Sequence, residues 1–191
     1  MHPRFIPFTA LVLAAFFSGC ASRPKPAVQY CADGREAPEW TKKGAAAFPG
    51  DAGRTLYGRG EASRVHNHSL LRKLADRRAM ADLARKLNAG VKALMTDYAA
   101  STSAADQEGH EQRAESARRT LVNESLDGAV MVDGCEEAEK GIYYSLAKLD
   151  ADAFTASLDK HKDVDLKMKE YIRANARRAF ESREKEVGRG K

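Results

Sequence analysis

Three cysteines and one close histidine pair are the residues of this chain whose types and spacing could do chemistry. The cysteines are Cys20, Cys31 and Cys135, and the histidines are His66 and His68. On a strand, two histidines separated by one residue would share a face and could hold a metal. Here they stand at the start of a predicted helix, and no Cys or carboxylate cluster completes four ligands. We therefore expect a surface pair and predict no metal site.

No catalytic residues are predicted either. A Cys–His nucleophile needs a free thiolate beside a base, and in an exported chain Cys31 and Cys135 are better placed for pairing than for catalysis. No Ser-His-Asp or paired-carboxylate motif is readable. Gly58-x-Gly60 lacks the third glycine of a phosphate-binding loop. We expect a protein that is not an enzyme and that uses no cofactor.

Cys20 follows a short apolar run. Residues 5–17 read FIPFTALVLAAFF, after the single positive charge of Arg4. This run is too short to span a bilayer as a helix, which needs about 20 residues, and it has the length and flanks of a signal-peptide core. The run ends in Ser18-Gly19-Cys20, which resembles the bacterial lipobox that lipoprotein signal peptidase recognises.

The lipobox implies cleavage before Cys20, a diacylglyceryl thioether on its sulfur, and acylation of the new N-terminus with a fatty acid such as palmitate. Several acyl chains on one residue anchor a protein stably in a membrane. Ala21 stands where an inner-membrane retention signal would have Asp, so we predict a periplasm-facing lipoprotein of the bacterial outer membrane. The alternative is cleavage by the general signal peptidase, which would leave a soluble secreted protein.

The cysteine count also bears on Cys31 and Cys135. Three cysteines in an exported chain leave one unpaired. If Cys20 carries a lipid, the two remaining cysteines can pair with each other, and an oxidising compartment permits a disulfide between them. We predict this disulfide, which would join the end of the tether to the first strand of a late hairpin.

Composition limits the partners. The chain has 191 residues, 32 basic and 27 acidic side chains and a formal net charge of +5. Without residues 1–19 it has the length of one ordinary domain. The mild positive charge suits lipid head groups, lipopolysaccharide or peptidoglycan. Because no aromatic residues alternate with the basic ones, we expect no nucleic-acid partner.

Periodicity predicts an α+β domain. The stretch TLYGRGEAS reads as a first strand, whose two glycines permit either close packing or a bulge. A long helix follows from Asn67 or Ser69, with an apolar stripe and an opposite face predicted to be solvated. A second helix is predicted over RAESARRTLVNESLDG, from residue 113 to its close at Gly128. Two strands flank the turn EEAEKG, with Val130 and Val132 alternating on the first of them. The stripe positions are Met80, Leu83, Leu87, Val91, Leu94 and Tyr98, and the opposite face holds Arg78, Asp82, Arg85, Lys86 and Lys92.

A last helix is predicted from about Asp163 to Glu186. Its apolar face either packs back onto the domain or mediates self-association or partner docking, and the sequence leaves both open. The predicted organisation is a signal peptide over residues 1–19, a lipid-anchored tether over 20–30, a domain over 31–160, and a C-terminal helix with a basic tail over 161–191.

Four segments resemble one known family. They are PEW (38–40), LYGRGEAS (56–63), ADRRAMADLARKL (75–87), and LDGAVMVDG followed by GIYYSLAKLD (126–150). In this order they are similar to the LPP-twenty family of small outer-membrane lipoproteins, which includes lipoproteins of flagellar discs and rings. The resemblance covers about Pro38 to Leu158. It implies a long helix packed on a small antiparallel sheet, no enzymatic activity, and a structural or assembly role in the envelope.

Two other functions stay open. The chain could be a module that binds peptidoglycan or another glycan through its basic helix face, or a periplasmic regulator of an envelope enzyme. Trp40 is expected to be a core residue rather than a binding residue.

Overall fold

The computed structural model describes residues 28–102, 107–162 and 164–181. Within these ranges the helices are α1 (Trp40–Lys43), α2 (His68–Thr102), α3 (Gln107–Ser125), α4 (Ala151–Ser157) and α5 (Leu166–Glu181). The strands are β1 (Thr55–Ser63), β2 (Val130–Glu137) and β3 (Ile142–Asp150). The predicted fold class, α+β with a long helix on a small antiparallel sheet and a further C-terminal helix, is confirmed.

The three strands form one antiparallel sheet in the order β1-β3-β2. β3 therefore lies in the centre, with Gly58 of β1 opposite Ala147, and Cys135 of β2 opposite Tyr144. β2 and β3 are joined by a short turn that ends at Gly141 with a φ of 60°, in the left-handed region that glycine adopts without strain. A bulge interrupts β2 between Met131 and Asp133.

α2 packs on one face of the sheet at very close range. A Cβ on Gly58 would lie 2.2 Å from the Ala79 carbonyl oxygen, and a Cβ on Gly60 would lie 2.1 Å from the Ala75 carbonyl oxygen. No side chain fits at either position, so the two glycines let the helix backbone approach the strand backbone directly. Of the two alternatives that the sequence left open here, close packing is confirmed, and β1 pairs with β3 without a bulge.

The main core lies between α2, the sheet, α4 and α5. The predicted stripe of α2 supplies Leu83, Leu87, Val91 and Leu94, all buried, while Met80 and Tyr98 are half-buried. α5 completes this core, with Ile172 and Phe180 fully buried. The ring of Phe180 lies 5.7 Å from that of Phe154 on α4. The apolar face of the last helix therefore packs back onto the domain, which confirms the first of the two alternatives that the sequence left open for this helix.

The opposite face of the sheet is covered by the segment that precedes β1. Trp40, Tyr57, Leu146, Cys31 and Cys135 form a second buried cluster there. Phe48 stacks on Tyr57 with ring centroids 4.3 Å apart. Trp40 is buried, as predicted for a core residue.

Several boundaries differ from the sequence predictions. α3 begins at Gln107, whereas the second helix was expected from about residue 113, and α1 and α4 were not predicted. α1 has four residues and α4 seven, which is too short for an apolar period to show. Val130 and Val132, expected to alternate with the residue between them, are exposed together with Met131, and the bulge between Met131 and Asp133 interrupts the alternation there.

Candidate functional site

The predicted disulfide between Cys31 and Cys135 is present, with the two Cα atoms 5.2 Å apart and 104 residues between them in sequence. Both cysteines are buried. Cys31 lies in a tight turn in which its N–H donates to the Arg35 carbonyl at 2.8 Å, and residues Tyr30 and Glu36 form a β-bridge across the turn. The disulfide fastens this turn to β2.

Three polar side chains surround the disulfide. Arg35 donates to both carboxylate oxygens of Asp133, at 2.7 and 3.1 Å, and the indole N–H of Trp40 donates to Asp133 Oδ2 at 2.8 Å. We call Cys31, Arg35, Trp40, Asp133 and Cys135 together the clasp. A bidentate arginine–carboxylate pair has defined geometry and is among the stronger side-chain interactions. The clasp therefore joins the first described turn, α1 and β2 through one covalent and three polar contacts.

The charge state of Asp133 follows from these contacts. Burial by itself would raise the pKa of its carboxyl group. The hydrogen bonds from Arg35, from Trp40 and from the backbone N–H of Gly134 outweigh burial and hold the pKa below its usual range. The pKa of Arg35 is raised in turn, chiefly by its hydrogen bond to Asp133. The pair is charged in the folded protein at neutral pH.

Sequence reasoning found the cysteines of the clasp and the buried Trp40, but it missed Arg35 and Asp133. A weak indication was present: Asp133 precedes Cys135 by two residues, so the two share one face of a strand. Its partner Arg35 is 98 residues away in the chain. No local pattern connects residues at that separation.

The outer edge of β1 is closed by polar side chains of α2. The Arg59 N–H donates to Asp82 Oδ2 at 3.1 Å, Lys86 Nζ donates to the Tyr57 carbonyl at 2.7 Å, and Arg78 donates to the Glu61 carbonyl at 2.6 Å. These three side chains satisfy backbone groups that an edge strand would otherwise offer to another chain.

This arrangement corrects the expected role of one face of α2. Asp82 and Lys86 were predicted to lie on a solvated face, and instead they are half-buried and hold the edge of β1. Arg78 is exposed, as predicted, and also donates to this edge. Arg85 pairs with Asp82 but is itself largely exposed, and Lys92 is exposed. The helical period identifies residues that share a face, but it does not tell which neighbouring strand edge that face meets.

A groove of about 390 Å³ runs between α2 and α3. Its polar lining includes Arg85, Asn88, Glu115, Arg118 and Arg119. Arg118 donates to Asn88 Oδ1 at 2.6 Å and also pairs with Glu115, which Arg119 approaches at 3.5 Å. The hydrogen bond from Arg118 is the chief reason that the pKa of Glu115 is lowered. Each arginine of the groove thus already faces a carboxylate.

The histidine pair is split between two environments. His68 is the first residue of α2, and its Nδ1 lies 2.7 Å from Glu136 Oε1 on β2. His66 is exposed in the preceding loop. Over residues 28–102, 107–162 and 164–181, no group of three or more His, Cys, Asp or Glu side chains is arranged to hold a metal ion.

The predicted lipid-attachment residue, Cys20, lies outside the described residues, as do the predicted signal peptide and most of the tether. The first described residue is Val28, three residues before Cys31. In the part of the chain that is described, no helix combines the length and the hydropathy needed to cross a membrane.

Comparison of the chain with models of known protein families and with characterised proteins gives no match.

Proposed function

We propose that this chain is a lipid-anchored protein of the bacterial cell envelope, attached through Cys20 to the outer membrane and facing the periplasm. The observation that carries the proposal is the cysteine arrangement. Cys31 and Cys135 are joined in a disulfide, which is typical of an exported protein. Cys20 is the third and last cysteine, and it directly follows the apolar run that ends in Ser18-Gly19.

The clasp suits an anchored domain. Residues 21–30 of a tether that starts at Cys20 would reach at most about 33 Å from the membrane. At its far end the tether would meet Cys31, whose disulfide transmits any pull on the anchor to β2 rather than to the loop that precedes α1. A covalent junction there keeps the first turn of the domain in place when the anchor and the domain move relative to each other.

The folded domain acts, in this proposal, by binding other envelope components rather than by catalysis. Support comes from the exposed Val130, Met131 and Val132 at one end of β2, which offer apolar side chains to a partner. The resemblance to LPP-twenty lipoproteins supports the same class of structural or assembly function, including a place in a flagellar disc or ring.

Metabolic labelling with an alkyne analogue of palmitate tests the anchor. The wild type should carry the label and sediment with outer membranes, and Cys20→Ala should do neither. Gly50→Ala is the control, because nothing lies within 4 Å of the added Cβ and the folded domain should be unchanged, so it should keep both label and membrane association. Label that persists in Cys20→Ala, or that disappears in the control, contradicts attachment at Cys20.

Glycan binding is a second candidate, supported by the exposed Arg85 and Arg119 beside the groove between α2 and α3. Co-sedimentation with purified peptidoglycan sacculi tests it. If glycan is the partner, Arg85→Ala together with Arg119→Ala should lose co-sedimentation while Cys20→Ala keeps it. If none of the three proteins co-sediments, glycan binding is excluded and the assembly function stands.

A further inference from the structure

The tether enters the domain beside the start of α2. Cys31, the first residue after the tether, is bonded to Cys135. The next residue, Ala32, donates its N–H to the Glu136 carbonyl at 2.7 Å, and Glu136 Oε1 in turn lies 2.7 Å from His68 Nδ1. Since His68 is the first residue of α2, two contacts connect the entry point of the tether to the start of this helix.

The surface at this end of α2 is basic. From Arg64 to Arg78 the chain has five basic side chains and one acidic side chain, Asp76. Arg64, Lys73 and Arg77 are exposed, and none of the three makes a hydrogen bond or an ion pair within the described part of the chain. Their positive charge is therefore not neutralised by a direct contact within the domain.

An apolar side chain stands among these charges. Leu70 is 50% exposed, and it shares one side of α2 with Lys73 and Arg77, which follow three and seven residues later. These three residues and Arg64 together are called the basic surface. Apolar and basic side chains on one helix face suit an anionic membrane, because the apolar group enters the headgroup region while the cations contact phosphates.

The tether carries charge of the same sign. Between Cys20 and Cys31 it has two basic side chains, Arg23 and Lys25, and no acidic one. The tether therefore does not neutralise the basic surface, and both suit the same anionic partner.

The length of the tether also favours this end of the domain. The tether reaches at most about 33 Å, whereas α2, with its 35 residues, is about 52 Å long. A domain that stood on the far end of α2 would lift the tether entry beyond this reach. The start of α2 is thus the end that an anchor at Cys20 keeps close to the membrane.

The two terminal segments outside the described residues do not complement the basic surface. Residues 5–17 have no charged side chain, and cleavage before Cys20 would remove them. Residues 182–191 have four basic and two acidic side chains, so their net charge has the same sign as the basic surface. Neither segment supplies the negative charge that the three cations lack.

We propose that the basic surface docks on the membrane that holds the anchor, with Leu70 among the lipid headgroups and the three cations on the phosphates of anionic phospholipids. The docking rests on the proposed attachment through Cys20, which holds the surface beside the bilayer at a high effective concentration. It gives the domain one orientation, with the far end of α2 and the start of α5 turned away from the membrane.

Fluorescence quenching in vesicles tests the docking. The full chain is isolated from outer membranes, and the mass of its N-terminal peptide reports whether Cys20 carries a lipid. The protein is then reconstituted into vesicles of phosphatidylethanolamine and phosphatidylglycerol that include a phospholipid with a nitroxide in its headgroup. A fluorophore on Leu70→Cys should be quenched several-fold more than the same fluorophore on Leu166→Cys. A free-thiol count before labelling verifies that the Cys31–Cys135 disulfide is closed.

Leu166 is the matched control position. It is also a leucine, it is 68% exposed, and it is the first residue of α5. This end of α5 packs beside the far end of α2, where the rings of Tyr171 and Tyr98 lie 5.4 Å apart. Along α2, Tyr98 is about 42 Å from Leu70. In the proposed orientation the control position is therefore out of reach of the headgroups.

Charge reversal tests the cations. In the Leu70→Cys chain, Lys73→Glu with Arg77→Glu should lower the ratio of docked to undocked protein roughly tenfold or more, and the quenching should fall to that of the control position. Lys167→Glu with Arg177→Glu is the control, because both residues are exposed on α5 and the net charge changes equally. It should leave the quenching unchanged. Vesicles of phosphatidylcholine, which are neutral, should give the same loss as the first pair.

Each outcome separates the docking from the anchor. Equal quenching at the two positions, on chains whose Cys20 is lipidated, overturns the docking and leaves the anchor in place. Quenching that survives the reversal of Lys73 and Arg77, or that the α5 control pair abolishes equally, also overturns it. An unmodified Cys20 overturns the anchor and the docking together. A chain that still begins at Met1 would place residues 5–17 in the membrane instead and would contradict both.

Discussion

Removing the disulfide of the clasp should destabilise the domain strongly. The perturbation is the double variant Cys31→Ala with Cys135→Ala, which avoids leaving a single reactive thiol. The bond closes a loop between residues 104 apart in sequence. Chain-entropy theory gives about 4.7 kcal/mol for a closed loop of about 100 residues, through the loss of freedom in the unfolded chain. That is a large part of the 5–15 kcal/mol by which ordinary domains are stable, as an order of magnitude.

Urea denaturation of the purified protein, followed by circular dichroism, measures this loss. With an m-value of about 2 kcal/mol/M, the midpoint of the double variant should fall by roughly 2 M. A reductant supplies an internal control. It should lower the midpoint of the wild type by a similar amount and leave the midpoint of the double variant unchanged, because that variant has no disulfide to reduce.

If the free energy of unfolding of the double variant falls by less than about 1 kcal/mol, loop closure by the disulfide is not a main source of stability. A reductant effect on the double variant would show that reduction acts elsewhere. If instead the double variant loses stability as expected but the reductant leaves the wild type unchanged, the two cysteines stabilise the fold by packing and not through the bond.

Three other substitutions, one of them with a control variant, test the packing and the charges. Gly60→Ala should lower the free energy of unfolding in urea by about 3 kcal/mol or more, because its Cβ would overlap the Ala75 carbonyl at 2.1 Å. Gly50→Ala is its control: no atom lies within 4 Å of the added Cβ, so the free energy of unfolding should change by less than about 0.5 kcal/mol. Asp133→Asn should lower the free energy of unfolding by about 2 kcal/mol at neutral pH. The pKa of Asp133 is lower in the folded protein than in the unfolded chain, where it is about 3.9. The stabilisation by its carboxylate is therefore fully present above about pH 3.9 and is lost as the pH falls through the pKa of the folded state. The free energies of unfolding of the wild type and of Asp133→Asn should thus converge in acid. Phe180→Ala should cost about 3–5 kcal/mol without changing the mass by light scattering, because Phe180 is buried inside its own domain. A smaller oligomer from Phe180→Ala would instead assign α5 to an interface, and equal costs for the two glycines would contradict the direct contact between α2 and β1.

The long helix and the core it supplies could be predicted because their causes are local. Leu83, Leu87, Val91 and Leu94 recur at the helical period, and all four are buried. The disulfide could be predicted from the number of cysteines and the expected compartment. The glycines of β1 indicated either a bulge or the close approach of another backbone, and the structure shows the close approach of α2.

What could not be predicted depends on contacts between distant parts of the chain. The strand order β1-β3-β2 places the last strand in the centre, and no period in the sequence encodes that choice. The pairing of Arg35 with Asp133 and the closure of the β1 edge by Asp82 and Lys86 join residues that are 98 and about 20–30 positions apart. Only the folded arrangement brings such residues together, so the Arg35–Asp133 pair and the closure of the β1 edge became visible in the structure alone.

Mass spectrometry of the N-terminal peptide of the protein isolated from bacterial outer membranes tests the central claim most directly. If the chain is a lipid-anchored envelope protein, this peptide begins at Cys20 and carries a diacylglyceryl group on the cysteine sulfur. An N-terminus that begins beyond Cys20, or an unmodified Cys20, would contradict the account.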